Sequence, residues 1–215
     1  MEKFLVIDTE TVNGLDDPLC YDVGFCVTDK SGKVYESHSY IVLEIFSYFS
    51  LMQTAYYVEK MPRYWQDIAE GKRKIRRYSA IQKKVRELVK KYEITKVFAH
   101  NARFDYKSLN GTLRYLTGSK YRYFMPYGVE WWDTLKMTRQ TLKGDTDYYN
   151  FCNKNNYKTM NNQYRFTAEI LYRYFTNDNE FIESHTGLED VMIERMLMVF
   201  CFARNPEIDG RLWGD

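Results

Sequence analysis

The chain has 215 residues, 45% of them hydrophobic and 28% charged, with a net charge of +2. Such a composition fits a single globular domain (1–215) with a real core and excludes a disordered chain. The near-neutral balance means that a nucleic-acid partner has to be recognised through local clusters rather than total charge. No apolar run approaches the ~18 residues needed to span a bilayer, and the first residues lack the pattern of a secretory signal. Cys20, Cys26, Cys152 and Cys201 form no C-x-x-C pair. A cytoplasmic protein with reduced thiols, no membrane contact and no structural zinc is the expectation.

Phe4-Leu5-Val6-Ile7 runs straight into Asp8-Thr9-Glu10-Thr11. The apolar run reads as a buried strand. Side chains two apart share a face, so Asp8 and Glu10 point the same way at its end. Two close like charges repel. Either the strand end emerges into water, or a hard divalent cation such as Mg²⁺ or Mn²⁺ relieves the pair. Residues 11–18 form a loop, 21–28 a second strand, 29–32 a turn and 33–42 a third strand, giving an antiparallel meander. From Glu44 to Tyr78 the pattern turns helical, aromatic and then basic. Ser79 is placed to cap a helix that follows with Ile81, Val85, Leu88, Val89 and Tyr92 on one face.

Lys96-Val97-Phe98-Ala99 is a short apolar strand leading through His100-Asn101 into a helix from about 103 to 117, which Gly118 is suited to stop. Asp105 lies in its first turn, where it either simply favours the helix start or reaches Asp8 beyond the strand ends. Residues 129–132 form a fifth strand, ending at Asp133-Thr134. Helices are expected near 134–142, 148–155, 166–175 and 188–203. On the last helix Asp190, Ile193, Leu197 and Phe200 or Cys201 make the inward stripe, and Asp190 at its head needs a partner or a metal. Glu189 and Glu194 lie off that stripe as solvated charges. His185, on a mobile turn just before this helix, is able to accept a proton from water at neutral pH. His38, His100, Trp131 and Trp132 read as structural or core residues. The order of elements predicts an α/β fold: a mixed five-stranded sheet, a three-strand antiparallel meander plus two parallel strands, flanked by helices. Four carboxylates and one histidine, each at an element's end, suggest two-metal phosphodiester hydrolysis.

The chain resembles the DEDDh branch of the DnaQ-like 3′–5′ exonuclease superfamily, which has a ribonuclease H-like fold. Asp8-Thr9-Glu10 resembles the family's D-x-E motif. Asn101-Ala102-Arg103-Phe104-Asp105 resembles N-x-x-F-D. His185-Thr186-Gly187-Leu188-Glu189-Asp190 resembles H-x-A-x-x-D, with Gly187 at the Ala position. Asp133-Thr134-Leu135 echoes a D-T-L between the second and third motifs. The resemblance covers residue 4 to about 200.

This resemblance implies two divalent cations, Mg²⁺ or Mn²⁺. Asp8, Glu10 and Asp190 would hold the first, and Asp8 would reach the second, with Asp105 beside it or acting through water. His185 would be the general base. A single-stranded 3′ end would be the substrate, with Thr11, Leu15 and Asn101 near the terminal nucleotide. It implies a metal-dependent 3′–5′ exonuclease releasing nucleoside 5′-monophosphates, with DNA favoured. An exoribonuclease of the same architecture and a non-catalytic nucleic-acid-binding or replication subunit are the alternatives. The expectation is either a stand-alone enzyme or a subunit supplied in trans to a polymerase or another replication protein.

Two departures stand out. Gly187 is expected to loosen the turn carrying His185. The segment 44–78 is an atypical aromatic and basic insertion. Within it Lys72, Arg73, Lys74, Arg76 and Arg77 read as contacts to a nucleic-acid backbone, with Tyr56, Tyr57, Tyr64, Trp65 and Tyr78 around them.

Overall fold

The computed structural model of the protein describes residues 1–13 and 16–213. Strands β1 (Lys3–Val12), β2 (Leu19–Asp29) and β3 (Val34–Val42) form the antiparallel meander. Beyond them come β4 (Lys74–Arg76), β5 (Lys96–Ala99) and β6 (Glu130–Asp133). The sheet order is β4-β3-β2-β1-β5-β6, with β5 parallel to β1 and β6 parallel to β5. Among the described residues the sheet has six strands rather than the expected five. The extra one is the basic run itself, paired parallel to the edge of β3. With Lys74 and Arg76 exposed around Ile75, it is the short, charged kind of edge strand that resists further pairing. Three residues are too few for an apolar period to announce it.

Helices cover both faces. Short helices α1 (Leu43–Phe46) and α2 (Phe49–Met52), a 3-10 turn (Val58–Lys60) and α3 (Met61–Ala69) make up most of the 44–78 segment. Ile45, Phe46, Met52, Tyr64 and Tyr78 of that segment are buried in the main core. Helices α4 (Tyr78–Lys91) and α5 (Ala102–Thr117) follow. The chain ends in α6 (Thr134–Thr141), α7 (Thr146–Lys154), α8 (Ala168–Thr176) and α9 (Gly187–Arg204). Ser79 does not cap α4. The helix starts at Tyr78, two residues earlier than a Ser79 cap would place it, and the Tyr78 N–H donates to Glu44 Oε2 at 2.9 Å. The cap comes from a distant carboxylate, which local sequence does not reveal.

The alternation of β1 divides the core. Leu5 and Ile7 face a cluster with Ile81, Val85, Leu109 and Leu113. Phe4 and Val6 face the other way, against Met198, Cys201 and Phe202 of α9. Phe4 stacks on Phe202 with ring centroids 5.8 Å apart. Burying a side chain of this size contributes roughly 1.5–3 kcal/mol, so the register of β1 is strongly specified. Its consequence is functional. Asp8 and Glu10 continue the row of Phe4 and Val6 towards α9, while Thr9 continues the row of Ile7 towards α5. Trp131 and Trp132 are both buried, one in each cluster, as the sequence suggests. No helix among the described residues is long and apolar enough to cross a membrane.

Candidate active site

The polar end of β1 opens into a cavity of about 610 Å³ that Asp8, Glu10, Asn101, Asp105, His185 and Asp190 all line. Carboxylate oxygens of Asp8, Glu10 and Asp190 lie within 4.8 Å of one another. Asp105 is 2% exposed and approaches from the α5 side. The Thr9 hydroxyl donates to its Oδ1 at 2.9 Å and also meets Ser108 Oγ at 2.8 Å. Alternation on β1 thus serves twice: even positions supply acids, and the odd Thr9 fixes a third acid arriving from a helix.

Crowding and burial act together on these groups. Burial first, then Glu194 and Asp105, push the Asp8 carboxyl well above its ordinary range. Glu10 is raised by burial and then by Asp190. Burial, then Glu183 and Asp22, push Asp190 up to about 8. Asp105 is pushed up to about 7 by burial, with the Thr9 hydrogen bond pulling it back. Asp8 Oδ2 and Asp190 Oδ1 are buried and accept no hydrogen bond from the described residues. A buried acceptor left unpaired costs about 1–3 kcal/mol. A hard divalent cation answers both the missing bonds and the repulsion, so the donor set fits one.

The start of α9 carries Asp190 against β1 through two glycines. A Cβ on Gly24 would come within 2.1 Å of Gly187 C, and one on Gly187 within 2.7 Å of Gly24 N. Gly24 is paired with Asp8 across the β1–β2 ladder. The helix therefore lands beside Asp8 because neither residue has a side chain. This corrects the expectation that Gly187 loosens the turn: here glycine permits the tight packing. The Gly187 N–H donates to Asp22 Oδ2 at 3.0 Å, and Asp22 also accepts from Tyr64 Oη at 2.9 Å and Arg73 Nη1 at 3.1 Å.

His185 has a positive φ of 49°, a conformation that costs a non-glycine residue about 1 kcal/mol or more. Its surroundings hold it there. The ring stacks on Tyr57 with centroids 4.4 Å apart and planes 10° apart. Lys60 Nζ donates to the Ser184 carbonyl at 2.6 Å. Nδ1 lies 3.7 Å from Glu183 Oε2. The turn read as mobile is thus pinned by the 3-10 turn of the 44–78 segment. Burial, then the charge of Lys60, hold the imidazole below its ordinary pKa, so it is neutral and able to accept a proton at pH 7.

The remaining expectations divide. Asn101 lines the cavity and opens α5 at a φ of 65°. Its N–H donates at 3.0 Å to Asp133, which also caps α6 through the Leu135 N–H at 2.9 Å. The Asp133-Thr134-Leu135 echo therefore sets the approach of α5. Thr11 follows a β-bulge after Glu10 and is not among the described residues lining the cavity. Leu15 lies outside the described residues. His100 is engaged at both ring nitrogens, by Thr134 Oγ1 at 3.1 Å and the Phe166 carbonyl at 2.8 Å.

Arg73 is a correction. It is 2% exposed and its guanidinium meets Asp22 at 3.1 Å, Asp67 at 3.0 Å and Glu189 at 2.7 Å. A buried hub of this kind is not available to a nucleic-acid backbone. Lys72 pairs with Glu70 at 2.6 Å. Lys74, Arg76 and Arg77 are exposed, but β4 is the edge strand, separated from β1 by β3 and β2.

Glu194 is the second correction. Expected in solvent, it is 3% exposed and lines the cavity. Its position four residues after Asp190, one helical turn along the same face, was the available signal. Glu189, also expected in solvent, is partly shielded and pairs with Arg73. Sequence reasoning also missed Arg139, Arg165 and Phe166, which line the cavity together with Tyr57 and Phe104. These come from distant segments and share no local pattern.

No protein-family model matches the chain, and no curated protein matches it by sequence. Solved structures do resemble it. The zinc-bound E. coli exonuclease I–single-stranded DNA complex superposes with a TM-score of 0.60 at 16% identity, covering 96% of this chain and 42% of that one. Exonuclease I from Methylocaldum szegediense gives 0.59 at 16% identity, over 96% and 42% of the two chains. S. pombe Pop2p with Mg²⁺ and Mn²⁺ bound gives 0.53 at 10% identity, over 95% and 84%. The protein thus has a ribonuclease H-like fold, and it spans 42% of the length of those exonuclease I chains.

Proposed function

We propose that this protein is a metal-dependent 3′–5′ exonuclease acting on the 3′ end of single-stranded nucleic acid, DNA in preference to RNA, and releasing nucleoside 5′-monophosphates. The observation that carries the reading is the meeting of Asp8, Glu10 and Asp190 within 4.8 Å, in one cavity with Asp105 and His185. Buried oxygens of Asp8 and Asp190 that meet no hydrogen-bond partner among the described residues do nothing for stability by themselves. The likeness to exonuclease I in complex with a dT13 oligonucleotide and to Pop2p with Mg²⁺ and Mn²⁺ bound supports it.

Asp8, Glu10 and Asp190 would hold a divalent cation, and Asp105 beside them would serve a second. When bound, such cations lower the pKa of water and neutralise charge growing on the phosphodiester. The chain's own residues do the rest. His185, whose Nδ1 faces Glu183, takes the proton from the attacking water at Nε2. The water oxygen bonds to phosphorus as the bond to the 3′ oxygen of the preceding nucleotide breaks. Phe104 offers a ring face to the terminal base, and Arg139 and Arg165 offer charge to the phosphates. Aromatic and basic groups together suit a single strand of any sequence.

The test is cleavage of end-labelled single- and double-stranded DNA and RNA with Mg²⁺ or Mn²⁺. Shortening from the 3′ end of single strands, absent in Asp8→Asn, is expected. Binding without cleavage by the parent chain refutes an enzyme in favour of a binding module. Faster loss of RNA refutes the sugar preference. Co-purification tests whether a polymerase supplies the 3′ end in trans.

A further inference from the structure

Helix α9 sends two carboxylates into the cavity, one turn apart. The first is Asp190. The second, Glu194, matches no position in the resemblance above. Its Oε2 is buried and accepts or donates no hydrogen bond, while the side chain takes one bond from the backbone N–H of His100. Asp8 Oδ2, on the facing strand, is orphaned in the same way. Among the charges acting on Asp8, Glu194 has the largest effect, ahead of Asp105, Asp190 and Glu10. A neutral Glu194 would leave its Oε2–H without an acceptor. An ionised Glu194 without a cation would leave a charge unpaired in the interior, which is costly. A cation resolves both.

We propose that Glu194 is a fifth carboxylate of the metal centre, serving, through coordinated water, a divalent cation on the Asp105 side of Asp8. This rests on the metal-dependent reading above. Among the charges acting on Glu194, Asp105 has the largest effect, but Glu194 does not join the close group of Asp8, Glu10 and Asp190 oxygens. An outer-sphere contact fits that spacing, since Mg²⁺ keeps several of its waters. Such a residue orients and tightens the ion without being an inner ligand.

The experiment is calorimetric titration of MnCl₂ into the full chain and into Glu194→Gln, without nucleic acid. The amide keeps the acceptor for His100 and removes the charge. The parent is expected to take up two Mn²⁺, and E194Q to bind one of them roughly 10–100-fold more weakly. Melting in EDTA checks the fold: E194Q is expected to melt no lower than the parent, because the amide removes the cost of keeping a buried carboxyl protonated at neutral pH. Glu194→Asp, one methylene shorter, provides a second variant and is expected to weaken the same ion. A parent that binds no Mn²⁺ overturns this proposal together with the metal-dependent reading. A parent that binds two, beside variants with unchanged isotherms, overturns this proposal alone.

Discussion

Metal-free protein should grow less stable as pH rises, and Asp190→Asn should remove much of that loss. Asp190 is 5% exposed, and its pKa is raised from 3.8 to about 8. A group whose folded pKa lies above its unfolded value contributes fully below the unfolded pKa and loses that contribution as pH climbs to the folded one. The window therefore runs from about pH 4 to about pH 8. At pH 7 the unfolded chain has ionised this carboxyl while the folded chain still holds its proton. That gap of about three pH units, at ~1.4 kcal/mol each, costs on the order of 4 kcal/mol. For a chain of this size it corresponds to roughly 10 °C in Tm. The assay is circular-dichroism melting in EDTA from pH 5 to 8, with the parent and D190N side by side. The parent should melt progressively lower, and D190N should stay above it at pH 7–8. Excess Mn²⁺ should raise the parent strongly and D190N much less. A parent whose Tm stays flat or rises over that range, or a D190N variant that follows it, refutes the account of a self-repelling acidic centre.

Replacing Arg73 with Ala should destabilise the fold by roughly 3–5 kcal/mol, since it strands the buried Asp22, whereas Arg76→Ala should leave the Tm near the parent value; denaturant titration reads both. Gly187→Ala puts a Cβ 2.7 Å from Gly24 N, so it should cost about 1–3 kcal/mol and weaken Mn²⁺ binding as Asp190 is displaced; an unchanged isotherm would show that the close approach is dispensable. His185→Ala should slow cleavage by roughly 10²–10⁴. Because the imidazole pKa is lowered, parent activity should persist below pH ~6.5 before falling, and the same acidic limb surviving in H185A would assign it to another group.

Much of the site was legible in the sequence because it depends on local rules. A run of four apolar residues followed by acids at alternate positions dictates that Asp8 and Glu10 share a face. The apolar strand running into a helix start at Asn101–Asp105, and the apolar stripe beginning at Asp190, likewise point their acids at an element's end. All of these residues line one cavity. Glu194 belonged to the same kind of signal, since it repeats Asp190 one helical turn later.

What tertiary structure alone decided concerns partners chosen across long separations. Arg73 sits in a basic run that periodicity treats as surface, yet Asp22, Asp67 and Glu189 draw it into the interior. Glu44 caps a helix 34 residues away. Tyr57 and Lys60 hold the turn of His185 from a segment that local pattern describes only as aromatic and basic. Gly187 stands where the resemblance has alanine, and only its contact with Gly24 shows why. The physical reason is common to these cases. Alternation and helical period report which face a side chain takes, because they follow from backbone geometry within a few residues. Which distant group meets that face depends on how the layers pack, and no window of sequence contains both partners.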